Sequence, residues 1–98
     1  MLDLIRAYEN YLVKVKQASE NTISSYMRDI RQFSEWLQEG GISDAVNATQ
    51  VNIQDYLAHL LEQGKSGATA SRSLASLKNF YSFAVSNGFL EVSPVGAD

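Results

Sequence analysis

A single proline in 98 residues, Pro94, leaves almost the whole chain free to be helical. The apolar residues use that freedom. They recur at the i, i+3, i+4 spacing of amphipathic helices, and glycines close the runs. The pattern predicts an all-α chain of four helices, at about 2–16, 20–39, 53–63 and 68–87.

The second of these is the best defined. In SENTISSYMRDIRQFSEWLQEGG (19–41), Ser19 is the expected N-cap, able to accept from the free N–H of Thr22 or its neighbour, and Glu20 adds a favourable first-turn charge. Ile23, Tyr26, Met27, Ile30, Phe33 and Leu37 make one apolar stripe, with Trp36 at its edge, expected to pack under a loop. The Gly40-Gly41 pair ends the helix. In the first helix Leu4, Ile5, Tyr8, Tyr11, Leu12 and Val15 form the stripe, and Lys14 and Lys16 suit the C-terminal dipole. The connector after Gly41 offers Ile42 and Val46 to the core. Asn52 with Asp55 resembles a capping box for the third helix, whose inward residues are Ile53, Tyr56, Leu57, Leu60 and Leu61. Ser66 is the expected cap of the fourth helix, with Ala70, Leu74, Leu77, Phe80, Tyr81, Ala84 and Val85 inward and Asn87-Gly88 at its end. Phe89 and Leu90 can fold back on the core, and Ser93-Pro94 begins an extended exit.

A chain of this length makes one domain with its own core and is short for a complete enzyme. The absence of cysteine excludes a disulfide framework and any Cys-based metal or redox site. No apolar run approaches the roughly 18 residues of a membrane span, and Leu2 to Arg6 lacks a signal-peptide pattern, so a cytoplasmic protein with no membrane partner is expected.

Catalytic constellations are hard to assemble. His59 is the sole histidine, lies on the polar side of its helix and has no evident nucleophile or acid partner. No phosphate-binding glycine loop and no cluster with metal-ligand spacing is present, so no cofactor, metal or small-molecule substrate is expected. Asp44 and Asp55 read as solvated acids.

The net charge of −3 is unevenly distributed. From Gln32 to Gly64 there are five acids and no Lys or Arg; from Gln63 to Leu90 there are Lys65, Arg72 and Lys78 and no acid. Two polar helix faces emerge: Asn21, Thr22, Ser24, Ser25, Arg28 and Arg31 on the second helix, and Thr69, Ser71, Arg72, Lys78 and Asn79 on the fourth. Small and basic side chains of this kind let a helix approach a DNA groove, neutralise phosphates and donate hydrogen bonds. Ser66, Gly67 and Ala68 would add N–H groups to a phosphate at the start of the fourth helix. The same residue types also furnish an ordinary solvated face, and Arg31 with Glu35 can form a simple i, i+4 pair.

The order of residues within these segments resembles the N-terminal core-binding domain of tyrosine recombinases, the phage integrases and Xer-type enzymes. Asn21, Thr22, Tyr26, Asp29, Ile30 and Phe33 match one signature block; Thr69, Arg72, Leu74, Leu77, Phe80, Tyr81, Gly88, Leu90 and Pro94 match a second, in the expected order. Ser93 stands where the family commonly has Asn. The resemblance implies a SAM-like orthogonal four-helix bundle over 1–92, with 93–98 as the start of a linker to an absent catalytic domain. It implies half of a clamp on double-stranded DNA, formed by the second and fourth helices, with further recombinase protomers as partners in a synaptic complex. None of Tyr8, Tyr11, Tyr26, Tyr56 or Tyr81 matches the family's nucleophile, so this chain is expected to be non-catalytic. With an acidic total and five bases on the two faces, isolated binding should be weak, roughly 10⁻⁴ to 10⁻⁶ M. A helical protein-interaction adaptor is the competing reading, and it requires an exposed apolar patch.

Overall fold

Each helix begins and ends where local chemistry satisfies its free backbone groups. The computed structural model describes residues 2–95, and the expected linker residues 96–98 lie outside it. The elements are α1 (Leu2–Asn10) followed by a π-helical turn (Tyr11–Val15), α2 (Glu20–Glu39), a 3₁₀ turn (Ala45–Asn47), α3 (Gln50–Glu62) and α4 (Gly67–Ser86). The described residues are all-α, with no strand. None of the described helices is long and apolar enough to cross a membrane.

Ser19 and Ser66 cap α2 and α4 as expected, each accepting the N–H of the threonine three positions on. The start of α3 differs from expectation. Thr49 is the cap, its hydroxyl accepting from Asn52 N while the Asn52 side chain accepts from Thr49 N at 2.8 Å. Asn52 is therefore the reciprocal partner of a capping box, and α3 begins three residues before the expected 53. Thr49→Ala should cost about 1 kcal/mol in urea denaturation. A neutral result would show that the box contributes nothing.

The far ends of α2, α3 and α4 share one solution. Gly41, Gly64 and Gly88 take positive φ, and the following residue's N–H reaches back to Leu37, Leu60 and Ala84 respectively. The first helix ends otherwise. It widens into the π turn, Lys16 N donates to Tyr11 O, Ala18 N donates to Leu12 O, and Gln17 accepts the left-handed position at φ 51°. The wider turn rotates the chain so that Leu12 stays buried while Val15, expected in the stripe, is 71% exposed.

The core forms where α4 packs against α1, α2 and α3, with α2 also touching α1 and α3. Its centre is aromatic. Phe33 of α2 meets Tyr56 of α3 and Tyr81 of α4 at ring-centroid distances of 5.0 and 6.4 Å, and Tyr8 of α1 meets Phe80 and Phe83. Trp36 packs on α3, between Phe33, Tyr56 and His59, and not under a loop. Leu61, expected inward, is 54% exposed; Ala45, Ala48, Ser73, Ser76 and Phe83, which periodicity did not select, are buried.

Burial raises the pKa of Tyr8, Tyr56 and Tyr81, for Tyr56 up to about 12. The charges of Asp29 and Asp44 add to the effect at Tyr56 and Tyr81 respectively. A raised folded-state pKa favours the neutral form, so this stabilisation is complete below the ordinary tyrosine value of about 10 and is lost as pH rises through about 12. Urea midpoints should thus hold steady to about pH 9 and fall above about pH 10; a midpoint rising there would contradict the burial of these rings.

Candidate nucleic-acid interface

The polar arc of α2 is opposite its buried stripe of Met27, Ile30, Phe33 and Leu37. Asn21, Thr22, Ser24, Arg28 and Arg31 are exposed there, and Ser25 is partly buried at its edge. Among the described residues Arg31 forms no ion pair with Glu35, the i, i+4 alternative that its spacing allowed. It reaches across to Glu9 of α1 at 3.6 Å, a surface contact of small energetic consequence. Between α1 and α2 lies an open depression of about 780 Å³, walled by Ser24, Arg28 and Arg31 but also by Glu9, Glu20 and Glu35. This side carries both signs of charge.

The face of α4 is different. Ser71, Arg72 and Lys78 are exposed and Asn79 is partly buried, its side-chain oxygen accepting from Tyr8 Oη at 3.2 Å. Lys78, Asn79 and Ser82 line a second depression of about 490 Å³ with Tyr11 of the π turn and Lys16 just after it, and among the described residues no carboxylate lines it. In the sequence Lys16 has only the helix dipole as an evident role. The turn of chain between α1 and α2 brings it beside α4, a neighbour no local pattern shows. Lys65 and Ser66 are exposed at the start of α4, where Ser66 and Thr69 satisfy each other as cap and partner. Ser19 and Thr22 do the same on α2. These hydroxyls are thus held in place by their own helix ends.

The two faces meet at a buried carboxylate. Asp29 of α2 is only 1% exposed in its side chain, yet its two oxygens are satisfied from α4: Oδ1 accepts from Arg72 Nη2 at 2.9 Å and Oδ2 from Ser76 Oγ at 2.8 Å. Arg72 itself remains half exposed. A buried charge without such partners would be costly, so this arrangement ties the spacing and register of α2 and α4 to one contact. The sequence held a signal for it: Asp29 adjoins Ile30 at the edge of an apolar stripe, where an acid needs a partner.

The remaining polar chemistry is structural. His59 is partly buried against Trp36 and Tyr56 and not on an open polar face. Tyr8 and Tyr81 donate to Asn79 and to the Ala45 carbonyl, and burial moves them away from the phenolate. Asp44 caps the 3₁₀ turn through the N–H of Val46. Among the described residues no group of three or more His, Cys, Asp or Glu is placed to hold a metal ion.

Residues 5–88 match the family model described as the phage integrase N-terminal SAM-like domain. Among curated relatives, a putative tyrosine recombinase of Caldanaerobacter subterraneus is 38% identical over 93% of this chain and 31% of its own length. The tyrosine recombinase XerC of Oceanobacillus iheyensis is 32% identical over 92% of the chain and 30% of its own length. XerD of Staphylococcus epidermidis is 29% identical over 96% and 32%. The chain thus spans about a third of the length of the relatives it matches. No solved structure matches it significantly.

Proposed function

The chain belongs to the family of phage integrase N-terminal SAM-like domains, and from that premise we propose that it is the duplex-DNA-binding module of a site-specific tyrosine recombinase. It grips DNA through the exposed polar faces of α2 and α4. Strand cleavage and rejoining fall to a catalytic domain of the parent protein, and other recombinase protomers complete the assembly on DNA. The observation that carries this reading is the seam at Asp29, which holds two faces of small, basic side chains in one fixed relation. A groove-reading surface needs that fixity, because phosphate contacts set register.

α4 carries no acidic residue from Gly67 to Ser86, and Lys16 lies beside it, which supports α4 as the more attractive of the two faces for phosphate. The adaptor reading needs an apolar docking patch. The exposed large apolar residues, Val13, Val15, Val51, Leu61, Phe89 and Val92, belong to the π turn, α3 and the exit, and none to α2 or α4. The polar faces therefore favour DNA.

The test is fluorescence anisotropy with a short random-sequence duplex between about 50 and 200 mM salt. Wild type should bind in the range of roughly 10⁻⁴ to 10⁻⁶ M, weakening steeply with salt. Arg28→Ala should weaken binding and reduce the log–log salt slope by about one, while His59→Ala leaves the slope unchanged. Identical slopes for all three proteins would remove the faces from the interface.

A further inference from the structure

We propose that Asp29 is a positioning residue for DNA contact: it holds the Arg72 guanidinium at the protein surface in the orientation that meets a phosphate. This rests on the DNA-binding reading above and adds to it a residue that never touches the ligand. Three observations carry it. First, Asp29 is buried and cannot itself reach DNA, while Arg72 is half exposed and can. Second, the anchoring is one-handed. A guanidinium carries five N–H donors, and among the described residues only Nη2 is engaged, leaving the others for an outside acceptor. Third, the anchor cannot swing, because Ser76 holds the second carboxylate oxygen from the same helix that bears Arg72, one turn on.

The physical consequence is preorganisation. A long, flexible arginine loses rotamer freedom when it binds a phosphate. One already held by a buried acid has lost that freedom on folding, so less is lost on binding. The acid's negative charge works the other way, by partly neutralising the arginine. Simple electrostatics therefore predicts that removing the acid strengthens binding, and positioning predicts that removal weakens it. The two accounts differ in sign.

The experiment is a double-mutant cycle on duplex affinity, using the same short random-sequence duplex and wild type, Asp29→Asn, Arg72→Ala and the double variant. All four are measured at a temperature where circular dichroism shows each to be folded. Asp29→Asn is expected to weaken binding about three- to tenfold when Arg72 is present and not when it is alanine. Its salt slope should stay at the wild-type value, because Arg72 still reaches phosphate, whereas Arg72→Ala lowers the slope by about one. Equal effects in both backgrounds, or tighter binding by Asp29→Asn, would overturn the proposal. A measurement on the unaltered protein guards against a variant that fails to fold. NMR relaxation of the Arg72 Nε–H group should show a rigid side chain in the absence of DNA, and that of Arg28 a mobile one. A mobile Arg72 would overturn the proposal with no substitution made. Should wild type bind duplex, and Arg28→Ala weaken it, with zero coupling between Asp29 and Arg72, the positioning role alone falls. Absence of wild-type binding overturns both readings.

Discussion

Phe33→Ala is expected to remove about 3–5 kcal/mol of stability, the largest loss of any single substitution considered for this chain. Phe33 is fully buried, and its ring lies 5.0 Å from Tyr56, 6.3 Å from Trp36 and 6.4 Å from Tyr81, so it touches its own helix and two others. Truncation removes the transfer energy of the ring and opens a cavity whose walls are large, rigid aromatics, which collapse poorly. Domains of this size have in total about 5–15 kcal/mol. The variant should therefore melt at least about 12 °C below wild type by circular dichroism, or be unfolded at room temperature. Phe33→Leu, which keeps most of the volume, should lose far less. If alanine costs under about 1 kcal/mol, the aromatic junction is not the centre of the core.

Arg72→Ala is the second large effect, and its sign for stability follows from who is left behind. The substitution strands the buried Asp29 carboxylate with Ser76 as its remaining partner. Breaking a fully buried pair costs about 3–5 kcal/mol. Here the arginine is half exposed and solvent can replace part of the loss, so about 2–3 kcal/mol is expected. Asp29→Asn should cost less, since the freed guanidinium simply hydrates. In urea denaturation the double variant should be more stable than the sum of the two losses predicts, by about 1 kcal/mol or more. Strict additivity would mean that the pair is incidental. The result also governs how DNA binding is read. An affinity lost by Arg72→Ala has two possible sources, a missing phosphate contact and a slackened α2–α4 seam, and only comparison among fully folded variants separates them.

Much of this fold was legible because helix chemistry is local. The serine caps at 19 and 66, the glycine stops at 41, 64 and 88 and the stripes of α2 and α4 each depend on residues within one or two turns. The misreadings also have local or tertiary causes. Asn52 has the residue type of a cap, which hides Thr49 as the cap and Asn52 as its partner. Val15 left the stripe because a π turn changes the period, and Leu61 because α3 buries a narrower arc than its apolar content suggested. The contrast at the candidate site is sharper. Arg28 and Arg31 are the two bases of the α2 face, yet α1 brings Glu9 beside them, while Lys16 arrives next to α4, which carries no acid from Gly67 to Ser86.

Sequence order alone specifies an all-α chain, the glycine stops of α2, α3 and α4, most of the aromatic interior but not Phe83, and, through its signature blocks, the family to which the chain belongs. Period, caps and glycine stops act over a few residues, so one-dimensional order is enough to specify them. Which charges become neighbours depends on how the helices pack. Asp29 and Arg72 stand 43 positions apart, and nothing in the spacing of either helix says that one will be buried against the other. That contact exists because packing α2 on α4 takes a carboxylate out of water, and a buried charge must be answered by whatever the opposing helix presents.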